Sequence, residues 1–280
     1  MAYIALYGGS FNPIHNGHIK TAIELIKNFK FDKLMFMPNA SPPHKNTVKL
    51  PYDARMDMLK AALAECQDLP LEISTAEQDS SIAHYTYETL TELRKEHPND
   101  RFAFIMGMDS LLALHTWKRG LEIIELCDII VLNRPGYDLN DLIADTKECI
   151  CHHLSASACK ALNLSEHDPS ACKTLNLSEH DPSACKTLNL KDDAPSDRAH
   201  LNMGEDAPSA CDDLNICKNE PYCACGHQFH FAQNQDFDVS STQLRELIAS
   251  SPKQAPKQLY ELLSGAVIDI IYSRHFYGAN

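Results

Sequence analysis

The stretch 157–221 consists of five consecutive blocks of 13 residues, each opening on serine, carrying Leu-Asn at its sixth and seventh places and closing on proline (Pro169, Pro182, Pro195, Pro208 and Pro221). A proline at every block end stops any helix within the block, and two or three apolar side chains per block offer little burial against the entropy of ordering. The first two blocks differ only at Ala161 and Thr174, as duplicated coding sequence would. We therefore expect a flexible, low-complexity insertion rather than a stacked repeat module. The fold must be built by what flanks it.

Acidic residues outnumber basic ones 38 to 25, for a net charge of −13, and the repeats alone carry 12 acidic and 6 basic residues. Counterion-release binding needs clustered Lys and Arg, so nucleic acid is not an expected partner. No apolar run has the length of a membrane span, and the chain opens without a basic leader, so the expected location is the cytoplasm. Eleven cysteines there imply reduced thiols or metal ligands rather than a disulfide framework.

Outside the repeats, short apolar runs at 4–7, 34–37, 102–106 and 129–132 read as buried parallel strands, with another near 229–231. Helical spacing of apolar residues separates them: Ile19, Ala22, Ile23 and Ile26; Met56, Leu59 and Leu63; Thr86, Leu90 and Leu93. Leu139, Leu142 and Ile143 suggest a helix before the insertion, and further helices fall near 244–248, 259–263 and 268–271. This alternation predicts an α/β fold, a doubly wound parallel sheet, whose ligands sit beyond the carboxyl ends of the strands.

Gly8-Gly9-Ser10-Phe11-Asn12-Pro13-Ile14-His15-Asn16-Gly17-His18 follows the first strand directly and opens the first helix. Paired glycines allow close backbone approach, a helix start offers free N–H groups, and histidines three apart can face one anion. Far downstream, Ser240-Ser241-Thr242 and Arg245 open another helix and form a second anion cradle. Alone, that segment is an ordinary helix cap with a solvated arginine. Together, and without a Walker lysine, the two suggest a nucleotide gripped along its phosphate chain.

The His-x-Gly-His signature and the C-terminal Ser-Thr-x-x-Arg helix resemble those of the nucleotidylyltransferase superfamily. Within it, the chain resembles bacterial nicotinate mononucleotide adenylyltransferases, through Met37-Pro38-Asn39 leading to Pro42-Pro43-His44-Lys45, Tyr85-Thr86-Tyr87-Glu88-Thr89-Leu90, Gly107-Met108-Asp109-Ser110-Leu111, Trp117 and Asn133-Arg134-Pro135-Gly136. The resemblance covers 1–153 and 226–280, and implies a Rossmann-like domain interrupted by the insertion. It implies that Gly8, Gly9, Ser10, Phe11, His15 and His18 hold the ATP phosphates, with Ser241, Thr242 and Arg245 on the β,γ side. Gly107 and Asp109 would meet the adenosine. Asn39, Lys45, Tyr85, Thr86, Trp117 and Arg134 would line the nicotinate mononucleotide side. His15, His18 and Arg245 would carry catalysis, with Mg²⁺ bound alongside ATP. Two positions depart from the family: Asn12 replaces a common Asp, and His84 stands where Ser often precedes Tyr-Thr.

The implied reaction is adenylyl transfer from ATP to nicotinate mononucleotide. Another His-x-Gly-His nucleotidylyltransferase of the pantetheine-phosphate type, or a metal- or partner-binding protein on an inactive scaffold, remains open. The metal alternative draws on Cys149, Cys151, Cys223, Cys225, His227 and His230 at the base of the insertion, where zinc could bind if both ends meet. Cys-x-Cys is a strained chelate, and free thiols are the simpler reading.

Overall fold

A computed structural model describes residues 1–40, 50–79, 81–133, 139–153, 226–232 and 240–280. The repeats at 157–221 lie outside them. Six strands form one sheet in the order β3-β2-β1-β4-β5-β6, every pair parallel. They are β1 (Tyr3–Gly9), β2 (Lys33–Pro38), β3 (Leu71–Ile73), β4 (Arg101–Gly107), β5 (Asp128–Leu132) and β6 (Phe229–Ala232). This is the doubly wound order, in which connections from β1 and β4 leave on opposite faces and open a crevice at the carboxyl edge.

Both faces are covered, which is why these strands are apolar at nearly every position. On one face Ala5, Tyr7, Ala103, Ile105 and Ile130 pack with α1 (Asn16–Phe29), α2 (Tyr52–Ala64) and the C-terminal helices α6 (Ser241–Ser250), α7 (Leu259–Leu262) and α8 (Gly265–Ser273). On the other, Leu6, Phe102, Phe104, Ile129 and Val131 pack with α3 (Thr86–Glu96), α4 (Met108–Leu112) and α5 (Ala144–His152). Among the described residues no helix is long and apolar enough to cross a membrane.

The expected strands and most expected helices are present. One is corrected: Leu139 begins a single 3-10 turn, Leu139–Asp141, and the helix starts later, at Ala144. Leu142 is buried against the sheet while Ile143 is exposed, so the two do not share one helical stripe. The edge strand β3 was not foreseen; three residues, with Glu72 exposed between two half-buried neighbours, give no periodic signal.

The described segments on either side of the insertion touch each other. The N–H of Phe229 donates to the carbonyl of His153 at 2.6 Å, at the amino end of β6.

Candidate active site

The segment after β1 is shaped by its glycines and by Phe11. Phe11 adopts φ 43°, in the left-handed region, and is buried with its ring 5.2 Å from His18 and 5.4 Å from Phe36. A side chain at Gly9 would run into that ring at 3.0 Å, and one at Gly8 would meet Phe104 at 3.0 Å. Gly9 therefore lets Phe11 fold back over the strand and support the histidine, while Gly8 makes room for Phe104. Asn12–Pro13 is a cis peptide bond.

His15 caps α1 and His18 is its third residue, and the two rings lie 3.6 Å apart at a tilt of 31°. The backbone N–H of His15 donates to Nδ1 of His18 at 3.3 Å. With Nδ1 accepting from the His15 N–H, His18 carries its ring proton on Nε2, which makes that nitrogen a donor.

The second cradle reaches the first. In α6, Ser240 forms a capping box with Gln243, leaving the next hydroxyls for other work. Ser241 donates to the Pro13 carbonyl at 3.1 Å. Arg245 donates to the Asn12 carbonyl at 2.7 Å and to Thr242 Oγ1 at 2.9 Å. Tyr277 donates its hydroxyl to Asn12 Oδ1 at 2.7 Å. Burial pushes the Tyr277 phenol far above its usual pKa, against the pull of Arg245 and Arg55, so it stays a donor. Asn12, the residue that departs from the family, is thus held at both its backbone and its side chain.

At the end of β4, Gly107 precedes α4, and a side chain there would lie 2.5 Å from an Asp109 carboxylate oxygen. Glycine makes room for Asp109 beside β1, the strand that pairs with β4. The residues expected to meet ATP therefore share the carboxyl edge of the sheet.

On the other side, Asn39 follows β2, and its N–H donates to the Gly9 carbonyl at 3.2 Å. Its side-chain oxygen is buried with no hydrogen-bond partner among the described residues. Tyr85 caps α3 and Thr86 begins it. The Lys118 ammonium sits 4.6 Å over the Tyr85 ring, which brings Trp117 and Lys118 to the start of α3. Trp117 turns its edge to Phe104, 6.4 Å between centroids. His84, the second departure, closes a turn: its Nε2 lies 2.8 Å from the Asp79 carbonyl. Lys45 and Arg134 lie outside the described residues.

Three residues that the sequence reading missed hold this arrangement: Tyr277, Glu77 and Arg55. Glu77 accepts from Thr89 at 3.0 Å, and its backbone carbonyl accepts from Ala40 at 3.1 Å, tying the segment after β2 to α3. Burial raises its pKa, opposed by the Thr89 bond. Arg55, only 1% exposed, donates to the carbonyls of Ser10 at 2.6 Å and Asn39 at 2.7 Å. An arginine set among the apolar residues of α2, between Ala54 and Met56, was the available sign.

Half of the zinc set falls outside the described residues, and the described members do not form a metal site among themselves. Cys223, Cys225 and the side chain of Cys151 lie outside the described residues. Cys149 donates to the Leu121 carbonyl at 3.7 Å. His227 faces Asp128 and Arg94, and His230 packs 5.3 Å from Phe29. Among the described residues no group of three or more His, Cys, Asp or Glu could hold a metal ion.

A family model described as cytidylyltransferase-like matches residues 6–247, a span that includes both cradles. A Shewanella woodyi protein named probable nicotinate-nucleotide adenylyltransferase is 39% identical over 137 residues, 49% of this chain and 65% of that protein. An Idiomarina loihiensis protein of the same name is 37% identical over 151 residues, 54% of this chain and 71% of that protein. The chain thus spans slightly less than two thirds of the first relative's length. The solved structure of Plasmodium falciparum nicotinic acid mononucleotide adenylyltransferase complexed with NaAD superimposes with a TM-score of 0.60 at 15% identity, covering 100% of this chain and 99% of that one. That likeness shows the fold.

Proposed function

Since the chain belongs to the cytidylyltransferase-like family, we propose that it transfers the adenylyl group of ATP to nicotinate mononucleotide, releasing pyrophosphate and forming the deamido dinucleotide of NAD biosynthesis. The observation that carries this reading is the meeting of the two cradles, with Ser241 and Arg245 bonded to Pro13 and Asn12 beside the His15–His18 pair. The names of the relatives support the choice of substrate.

The attacking group is the phosphate of nicotinate mononucleotide, already an anion, so no protein base is needed. An oxygen of that phosphate forms a bond to the α-phosphorus of ATP as the bond to the pyrophosphate oxygen breaks. Charge grows on the non-bridging and leaving oxygens, and placement and electrostatic stabilisation supply most of the rate. His18 Nε2 and the N–H groups at the start of α1 would meet the α- and β-phosphates. Ser241, Thr242 and Arg245 would meet the β,γ side, and Asp109 a ribose hydroxyl. Asn39, Lys45, Tyr85, Thr86, Trp117 and Arg134 would hold the mononucleotide. Mg²⁺ arriving with ATP would neutralise phosphate oxygens. Such an ion would be held mainly by phosphates and water, which suits a site built of hydrogen-bond donors.

The test is pyrophosphate release from Mg-ATP with a panel of acceptors. Release with nicotinate mononucleotide, and little with pantetheine phosphate or glycerol phosphate, supports the reading. Release with pantetheine phosphate alone overturns it.

A further inference from the structure

One side chain grips the backbone of both substrate-facing segments. From α2, one end nitrogen of the Arg55 guanidinium donates to the Ser10 carbonyl at 2.6 Å, in the segment after β1. The other donates to the Asn39 carbonyl at 2.7 Å and lies 3.4 Å from the Ala40 carbonyl, in the segment after β2. The ring of Tyr52 lies 5.6 Å from the guanidinium carbon on the same helix.

Two features set Arg55 apart from an ordinary surface arginine. It is almost wholly buried, and no carboxylate pairs with it among the described residues. Residues 41–49, which continue the segment it holds, contain no Asp or Glu. An uncompensated buried cation is costly wherever neutral donors could bind the same carbonyls. Beside a phosphate-binding segment its charge has the useful sign. Its planar fork also fixes the spacing of two carbonyls in a way a flexible ammonium cannot.

We propose that Arg55 is a positioning residue that sets the distance between the ATP-binding and mononucleotide-binding segments and so couples the two substrates. The proposal rests on the adenylyl-transfer reading above. Ser10 moves with the segment that would hold the ATP phosphates, and Asn39 with the segment that would hold the attacking phosphate. Because Arg55 grips backbone on both sides, it touches neither substrate. Each substrate keeps its own contacts when the fork is lost, and what suffers is their mutual placement, to which in-line attack is acutely sensitive.

The experiment compares wild type with Arg55→Lys and Arg55→Met in steady-state kinetics for both substrates. Calorimetric titration of nicotinate mononucleotide is run alongside, with and without a non-hydrolysable ATP analogue. We expect Arg55→Lys to lower kcat about 30- to 100-fold while each KM stays within about threefold. The analogue tightens mononucleotide binding in wild type, and that tightening disappears in the variant. A purely structural role would lower the melting temperature but leave kcat per folded molecule and the tightening unchanged; that result overturns the proposal. So does an Arg55→Lys protein with wild-type kcat, since charge without the fork would then suffice. If neither variant folds, the wild-type titration decides: tightening by the analogue upholds coupling, and independent binding overturns it. Wild type inactive with nicotinate mononucleotide marks the failure of the functional reading, and the coupling falls with it. An active wild type with indifferent variants marks the failure of Arg55 alone.

Discussion

The two ends of the sheet treat charge in opposite ways. At the amino end, Asp128 opens β5, fully buried, and every neighbour answers it. Tyr3 donates at 2.6 Å, Arg101 lies at 3.1 Å, the Gln228 N–H donates at 3.0 Å and His227 stands 3.7 Å away. Burial alone would raise the Asp128 pKa, but the contacts from His227, Arg101 and Tyr3 outweigh it and hold it at about 2. That cluster is closed and neutralises itself. At the carboxyl end, Arg55 and Arg245 spend their donors on backbone carbonyls, and no carboxylate pairs with either among the described residues. A buried charge that only holds a fold is cancelled within the chain, whereas a site suited to phosphates keeps cations whose charge no neighbouring carboxylate cancels.

Substitutions at the two ends should separate activity from stability. The largest effect is expected for His18→Ala. Losing one preorganised donor to the developing charge should lower kcat about 10²- to 10³-fold, with the melting temperature little changed. Turnover close to wild type would remove His18 from the site.

Next comes Asp128→Asn, which leaves Arg101 facing a neutral amide. Removing one partner of a buried pair should cost about 2–4 kcal/mol in urea unfolding, while kcat stays within about twofold. The pH dependence has a definite sign. The Asp128 pKa is lower in the folded protein, about 2 against an ordinary 3.8, so its ionisation stabilises the fold above about pH 4. That contribution is lost as pH falls toward 2. The gap between wild type and variant should therefore shrink by about 1 kcal/mol between pH 6 and pH 3. A gap independent of pH would show that the carboxylate is not the source.

Tyr277→Phe probes the strap from the C-terminal end to Asn12. Losing that hydrogen bond should cost about 1 kcal/mol of local order, read as a kcat decrease of about three- to tenfold with little change in overall stability. An unchanged kcat would show that Arg245 and Ser241 suffice to hold the segment.

The smallest effect is expected from excising residues 157–221. His153, the last described residue before the insertion, bonds to Phe229 at the amino end of β6, across the sheet from the site. Loop closure varies only logarithmically with length, so stability should change by about 1–3 kcal/mol at most, and kcat/KM by less than about threefold. A folded deletion variant with turnover down more than tenfold would mean that the repeats reach the site.

What could be read in advance followed from local signals. The run from Tyr3 through the glycine pair into α1 combines strand pattern, turn residues and a helix start in one continuous stretch, so fold and site emerge together there. The pairing of the two cradles was legible only as two motifs of one kind. That Arg245 bonds Asn12, 233 residues away, needs the sheet to bring them together. Arg55 was missed because a lone arginine in a helix reads as solvated, and its burial depends on two segments closing over it. Glu77 was missed for the same reason. Tyr277 reads as an ordinary aromatic near the end of the chain. The helix expected at Leu139 failed because three apolar residues at helical spacing also suit a turn that buries one of them and exposes another.

The contrast between the two ends can be tested in one titration: Mg²⁺ with a non-hydrolysable ATP analogue, followed by backbone amide NMR of the wild-type protein. Shifts concentrated at residues 8–12, 15–18, 107–109 and 241–245, with Arg101, Asp128 and Gln228 unmoved, are the expected result. Shifts centred on the Asp128 cluster, or none along Gly8 to His18 at saturating analogue, would contradict the placement of the nucleotide at the carboxyl end.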